Sequence, residues 1–238
     1  MKNKTLEQEI MEARYHFPYN WMYPRDSRRF RAKLGLWRAV NDFAGDLRGK
    51  RALDVGCGDG WYTAQMVEAG GAVTGLDYSE RAIGFARLLV PGASFKNVSA
   101  AEIPFEDKSF DIVFSIQVLE HIPPEELPRA VGEIARVLKN GGRAVISVPS
   151  VRRKFSTAHF RHFTYKSLET ALSPYLKIEK AAGQWWKFFP ASLMDSLYEN
   201  RFWFSPVLAR FINKFFFKYL NETTPERGEN LVVLCSRK

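Results

Sequence analysis

Cysteine is nearly absent from this 238-residue chain. Cys57 and Cys235 are its only thiols, and no C-x-x-C occurs. That excludes a disulfide framework and argues against a structural zinc site. Histidine is also scarce: His16, His121, His159 and His162 are the full set. Chemistry that needs an imidazole therefore has few places to reside. No stretch approaches the roughly 18 uncharged apolar residues of a membrane-spanning helix. Glu7, Glu9 and Glu12 stand where a secretory leader would be apolar. A cytoplasmic, reducing setting is the expectation. Internal repeats and low-complexity tracts are missing as well.

What is present is the composition of a packed protein. Apolar residues make up 46%, aromatics 14% and charged residues 26%, which excludes a mostly disordered chain. The length suits one domain, with room for a sizeable insertion. The net charge of +9 is unevenly spread. Residues 1–50 carry +5, residues 51–150 carry −4 and residues 151–238 carry +8. Two basic ends around a mildly acidic middle suit anionic partners, or simply a basic soluble protein.

Residues 51–150 alternate between strand-like and helix-like segments. Strands are expected at 51–55, 72–77, 93–99, 110–116 and 143–148. Helices are expected at 61–69, 79–89 (with Ser79 as N-cap) and from Pro123-Pro124 to the Asn140-Gly141-Gly142 break. A further helix at 167–172 and strands at 176–182 and 230–236 continue the scheme. Strands separated by helices imply β-α-β units and a parallel sheet. The fold class is α/β. Expected boundaries are an N-terminal helical lid over 1–45, a core over 46–183, a helical aromatic and basic insertion over 184–227, and a last core strand over 228–238.

The strongest signal is Leu53-Asp54-Val55-Gly56-Cys57-Gly58-Asp59-Gly60, placed between the first strand and its helix. Glycines there permit a sharp turn and close approach of a ligand to the backbone. The helix start adds free N–H groups and a positive dipole end. Asp77 closes the next strand, where an acid can bind ribose hydroxyls.

The G-x-G-x-G spacing, with an acid two residues ahead, resembles motif I of the class I S-adenosylmethionine-dependent methyltransferases. Gly75-Leu76-Asp77-Tyr78-Ser79, Ala101-Glu102-Ile103-Pro104-Phe105, Ser109-Phe110-Asp111-Ile112-Val113, Val118-Leu119-Glu120-His121-Ile122 and Leu138-Lys139-Asn140-Gly141-Gly142 resemble later motifs of that family. The similarity covers roughly residues 48–182 and resumes at the last strand; it is of the methyltransferase type 11 and ubiquinone O-methyltransferase kind. It implies a Rossmann-like seven-stranded sheet with helices on both faces and an antiparallel last strand, placed between the fifth and sixth. It implies S-adenosylmethionine as cofactor. By matched position, Asp54 and the loop Gly56, Cys57, Gly58 and Gly60 face its methionine part. Asp77 holds both ribose hydroxyls and Tyr78 stacks near the adenine. Ser99, Ala100 and Ala101 line the adenine edge, and Gln117 sits beside the amino group or methyl. The family often has Asp where this chain has Ser99, an uncharged and weaker partner.

Methyl transfer to a hydroxyl or phenol needs a base, and histidine is the natural one. The candidates are His121, His159 and His162. Gln117-x-x-Glu120-His121 resembles the metal-binding Glu-x-x-Glu-His of ubiquinone O-methyltransferases and of small-RNA 2′-O-methyltransferases. Its first acid is replaced by an amide, a poorer ligand for Mg²⁺, and no metal is expected. His159-x-Arg161-x-Phe163-Thr164 resembles an element near the substrate mouth; it equally suits a loop stabiliser with Thr164 capping the next helix. No Asn/Asp-Pro-Pro-aromatic motif follows the fourth strand, which argues against methylation of DNA-base amines. Arg210, Lys214 and Lys218 fall at i, i+4, i+8 along an aromatic segment. That stripe suits an anionic membrane surface, or a solvated face over aromatics that cover the sheet. The expected activity is methyl transfer to a small or lipid-like acceptor at oxygen, with peripheral membrane contact as an option. The alternatives are an RNA methyltransferase and a non-catalytic, cofactor-binding, membrane-docking protein. No RNA-binding module is appended, so nucleic acid ranks below a small acceptor.

Overall fold

The computed structural model describes residues 5–24, 27–184 and 222–238. Helices α1 (Leu6–Arg14) and α2 (Arg28–Ala44) precede the sheet. Next come β1 (Arg51–Val55), α3 (Trp61–Glu68), β2 (Ala72–Asp77), α4 (Glu80–Leu89), β3 (Ser94–Asn97) and β4 (Phe110–Ile116). A 3-10 turn at Leu119–His121 leads to α5 (Leu127–Val137), β5 (Leu138–Pro149), α6 (Tyr165–Leu172) and β6 (Leu176–Gln184). The chain ends with β7 (Glu222–Thr223) and β8 (Asn230–Arg237).

The strand order is β3-β2-β1-β4-β5-β8-β6-β7. Strands β1 to β5 pair in parallel, and β8 runs antiparallel to both β5 and β6. The expected seven strands and inserted antiparallel strand are therefore present. The two-residue β7, paired antiparallel to the end of β6, adds an eighth at the edge. Strand order reverses between β1 and β4, so their carboxyl ends open a crevice of the kind that holds ligands in such sheets.

Period-two alternation builds a core on each face of the sheet. Leu53, Val55, Val113, Ala144, Ile146, Leu231 and Val233 meet Ala130, Val131 and Ile134 of α5 and Leu168 and Leu172 of α6. Their neighbours Ala52, Ile112, Phe114, Val145 and Val232 meet Leu36, Trp37, Val40 and Phe43 of α2, with Trp61 and Met66 of α3. Helix α2 is thus part of the sheet's own packing. Ser27 caps it, its hydroxyl accepting from the Phe30 amide at 3.2 Å.

Three local expectations are corrected. The helix after β4 starts at Leu127 rather than at Pro123-Pro124, because 124–126 form a turn and Pro128 occupies the first helical turn, where no N–H is needed. Asn140-Gly141-Gly142 does not end that helix; it lies inside β5. There the register with β4 shifts between Phe110 and Ile112, and Lys139 reaches Asp111 at 2.7 Å. The third strand is also shorter than 93–99, spanning Ser94–Asn97.

Candidate active site

The loop after β1 is sewn to the end of β2. The amides of Gly56 and Cys57 both donate to the Leu76 carbonyl, at 2.7 and 2.8 Å. Gly56 has φ +76°, and a Cβ there would stand 2.4 Å from Val118 Cγ2. Only glycine allows that approach. The Gly58 amide donates to Asp77 Oδ2 at 2.8 Å, and the Ser79 amide to Asp77 Oδ1 at 2.9 Å. Burial pushes the Asp77 carboxyl up to about 6, against the pull of those two N–H groups. Asp54 accepts from Thr63 Oγ1 at 2.6 Å. Burial raises its carboxyl to about 7 despite that bond. The Cys57 thiol is turned into a small core with Ile83, Ala86, Val90 and Phe95. Burial and the charge of Asp77 hold it well above the ordinary thiol range, so it is no nucleophile.

Beside this loop lies a cavity with about 460 Å³ of atom-free space, partly open to solvent. Gly56, Asp77, Tyr78, Ser99, Ala100 and His121 line it, together with the apolar Leu76, Val98, Val118, Ile122 and Pro123, and with Glu126. A largely apolar wall with a few polar groups, the buried Asp77 carboxylate among them, suits a flat purine bearing a diol. These residues fit the adenosyl half of S-adenosylmethionine. Ser99 Oγ accepts from the Ala101 amide at 3.2 Å, and Ala101 itself points into the core. Asp54, Cys57, Gly58, Gly60, Ala101 and Gln117 do not line the cavity; they shape or brace the loop and strand ends around it.

The three candidate histidines, separated by up to 41 positions, come together. The rings of His121 and His159 meet edge to face at 4.6 Å. His159 Nδ1 lies 2.8 Å from His162 Nε2, so a single proton bridges them. His121 Nδ1 lies 2.8 Å from the Ala158 carbonyl oxygen. A carbonyl only accepts, so this Nδ1 carries the proton and Nε2 keeps its lone pair. Burial lowers His121 to about 4, and the charges of Arg14 and Arg153 lower it further against the Ala158 bond. His159 is lowered to about 3, by burial first and by its two imidazole neighbours next. Glu120 is buried, and burial raises it to about 8. Thr164 caps α6 through a capping box with Ser167, as expected.

Among the described residues, one ligand atom each from Glu120, His121 and His159 lies within 4.8 Å of the others. Gln117 does not join them. Its Oε1 accepts from Arg153 at 2.7 Å, its Nε2 donates to Ser147 Oγ at 3.0 Å, and its φ is +58°.

Sequence reasoning missed how the N-terminal segment holds the loop. Asp59 is fully buried. It accepts from the Asn20 amide at 3.0 Å and from Asn20 Nδ2 at 2.9 Å, while its carbonyl accepts from Trp21 Nε1 at 2.9 Å. Lys33 Nζ donates to Asn20 Oδ1 at 2.7 Å and stands 4.3 Å over the Trp61 ring. Burial lowers Lys33 to about 7, opposed by Asp59. Tyr15 is buried with its hydroxyl against Gly58, where a Cβ would meet it at 2.5 Å. The contacts span 38 and 39 positions, so only a surplus acid inside a Gly-rich loop hinted at them. Asp59→Ala should cost about 2–4 kcal/mol, since it strips both Asn20 donors of their charged acceptor. Hydrogen exchange should show protection lost over residues 15–33 with β1, β4 and β5 unchanged.

The stripe Arg210, Lys214 and Lys218, and the aromatic insertion around it, fall outside the described residues. Among the described residues no helix is long and apolar enough to cross a membrane.

Residues 53–146 match a family model described as a methyltransferase domain. An uncharacterised methyltransferase of Synechocystis sp. is 30% identical over 132 residues, which cover 54% of this chain and 62% of that protein. A ubiquinone biosynthesis O-methyltransferase of Aromatoleum aromaticum is 36% identical over 119 residues, covering 48% of this chain and 49% of that one. The chain spans about half the length of the curated relatives it matches. An S-adenosylmethionine-dependent methyltransferase structure from Mesorhizobium loti has a TM-score of 0.60 at 20% identity, covering 86% of this chain and 98% of that one. The PH0226 protein from Pyrococcus horikoshii gives 0.63 at 18% identity, covering 93% and 99%. Both share the fold.

Proposed function

We propose that this chain is a class I S-adenosylmethionine-dependent methyltransferase, a reading supported by the methyltransferase-domain match over residues 53–146 and the shared fold, and that it transfers a methyl group to a hydroxyl oxygen of a small or lipid-like acceptor. The observation that carries the reading is His121. It is a lining residue of the cavity that also presents Asp77, and the Nδ1–H bond to Ala158 leaves its Nε2 with a lone pair. An oxygen nucleophile must lose its proton during attack, and this nitrogen is placed to take it. The likeness to ubiquinone O-methyltransferases points the same way.

When bound, S-adenosylmethionine supplies the electrophilic methyl group. The protein's part is alignment and exclusion of water. Asp77 holds the ribose hydroxyls through the oxygen lone pairs left by Gly58 and Ser79. Tyr78, Val98, Ser99 and Ala100 flank the adenine. The Gly56–Gly58 turn and Tyr15 bound the methionine side. His121 accepts the proton from the acceptor, and the His159–His162 pair beyond it offers a route outward.

A metal-assisted reading would use Glu120, His121 and His159. The donor set suits it poorly. Gln117 stands where a first acid would be, and its amide is already bound to Arg153 and Ser147.

The test is incubation with methyl-labelled S-adenosylmethionine and fractionated lipid, aqueous and RNA pools. Label should enter the lipid or aqueous pool, and turnover should stay within twofold after dialysis against EDTA. Label in RNA alone would overturn the acceptor class. Loss of turnover to the chelator would restore the metal.

A further inference from the structure

We infer that Arg153 is the docking point for a carboxylate or phosphate carried by the methyl acceptor. This rests on the reading of the site as a methyltransferase centre.

Arg153 follows β5 in a tight turn, its amide donating to the Ser150 carbonyl at 3.0 Å. Its guanidinium is exposed but held. Nη1 donates to Gln117 Oε1 at 2.7 Å and to Asn230 Oδ1 at 3.0 Å. Both acceptors are neutral amides, and both are themselves fixed. Gln117 is tied to Ser147 Oγ at 3.0 Å. Asn230 Nδ2 donates to the buried Gln184 Oε1 at 2.7 Å. The chain Gln184–Asn230–Arg153–Gln117–Ser147 therefore crosses the ends of β6, β8, β5 and β4. Gln117 even adopts left-handed backbone, an arrangement that is uncommon outside glycine and costs free energy.

This network orients a charge without neutralising it. Among the described residues Arg153 has no carboxylate partner, and its Nε and Nη2 make no hydrogen bond. Arg48, Arg129 and Arg136 pair with acids. Arg87, Arg152, Arg161 and Arg237 bond backbone carbonyls, whereas Arg153 is held by two side-chain amides. A guanidinium with a free N–H fork, steered by neutral groups, is the arrangement that takes an oxyanion bidentately.

Its partner Gln117 directly precedes Val118, a residue of the cavity lining, so Arg153 stands beside the cavity and outside its lining. The charge of Arg153 bears on Tyr62, His121, His159 and His162 together. An oxyanion seated there would aim the rest of the acceptor at the His121 edge of the cavity.

The test uses the full chain saturated with S-adenosylhomocysteine, and calorimetry with phenyl phosphate, benzoate and the neutral benzyl alcohol. Wild type should bind both anions at least tenfold more tightly than the alcohol. Arg153→Gln should lose that preference at least tenfold, and Arg153→Lys should keep part of it. S-adenosylhomocysteine affinity should be unchanged in both variants. Anion binding that is equal in wild type and Arg153→Gln, or no preference in wild type, overturns the proposal. Failure of wild type to bind S-adenosylhomocysteine overturns the methyltransferase reading beneath it. Flotation with phosphatidylglycerol against phosphatidylcholine vesicles separates the sources. Arg153-dependent flotation on the anionic vesicles marks a lipid-borne anion, and soluble-anion binding without flotation marks a small acceptor.

Discussion

Asp77→Ala is expected to weaken S-adenosylmethionine binding by at least ~100-fold. Asp77 ends β2 and is 8% exposed, so its carboxylate faces the cavity from a nearly dry position. Each oxygen already accepts one backbone N–H, from Ser79 and from Gly58. A carboxylate has lone pairs to spare, and those left over suit two vicinal ribose hydroxyls. Hydrogen bonds to a charged group contribute about 1.5–3 kcal/mol each, so losing two amounts to ~3 kcal/mol or more, near a hundredfold in affinity. The sign with pH follows from the raised carboxyl. Burial has moved it from the ordinary aspartate range to about 6. The charged form, which the ribose needs, is therefore lost as pH falls through about 6. Calorimetry between pH 5 and 8 should show wild-type affinity falling toward the acid end. Asp77→Ala should be weak throughout. An unchanged affinity would remove the ribose role.

How much of this could be read in advance follows from how local each signal is. The Gly56-x-Gly58-x-Gly60 turn and the Asp77 strand end were legible because a strand, a turn and a helix start lie within a few residues. The buried strand β4 was legible because Phe110-Asp111-Ile112-Val113-Phe114-Ser115-Ile116 is apolar almost throughout, as burial on both faces requires. The 139–142 stretch misled because Asn-Gly-Gly after a helix looks like a C-cap. Its true state depends on Asp111 in a neighbouring strand, which a linear pattern does not display. The clasp of Asn20 and Trp21 on Asp59 has the same character. So does the seat of Arg153 between Gln117 and Asn230, since these partners meet only once β4, β5 and β8 are side by side. The histidines were legible as candidates because there are so few. Their contact and their protonation states came from tertiary structure alone.

His121→Ala should lower kcat by at least ~100-fold, the usual worth of a positioned general base, with S-adenosylmethionine affinity held within a few-fold. Among the three clustered imidazoles the assignment turns on what each ring has left to offer. His159 and His162 share a proton at 2.8 Å and stand outside the cavity lining. His121 belongs to the cavity lining and spends Nδ1–H on the Ala158 carbonyl, which leaves Nε2 as its basic nitrogen. Burial is the main cause that lowers it to about 4, so its basic form is present above that pH. At saturating S-adenosylmethionine, kcat/KM for the acceptor should therefore keep its acid limb well below the 6.5 of a free imidazole. The profile of kcat reports the complex instead of the free enzyme. There burial still holds the ring low, and the acid limb of kcat should also lie below that of a free imidazole. A purely supporting role for His121 would lower stability and leave both limbs in place. His159→Ala separates the outward route from the base. It should cost less in kcat than His121→Ala, because the acceptor's proton still has its first resting place.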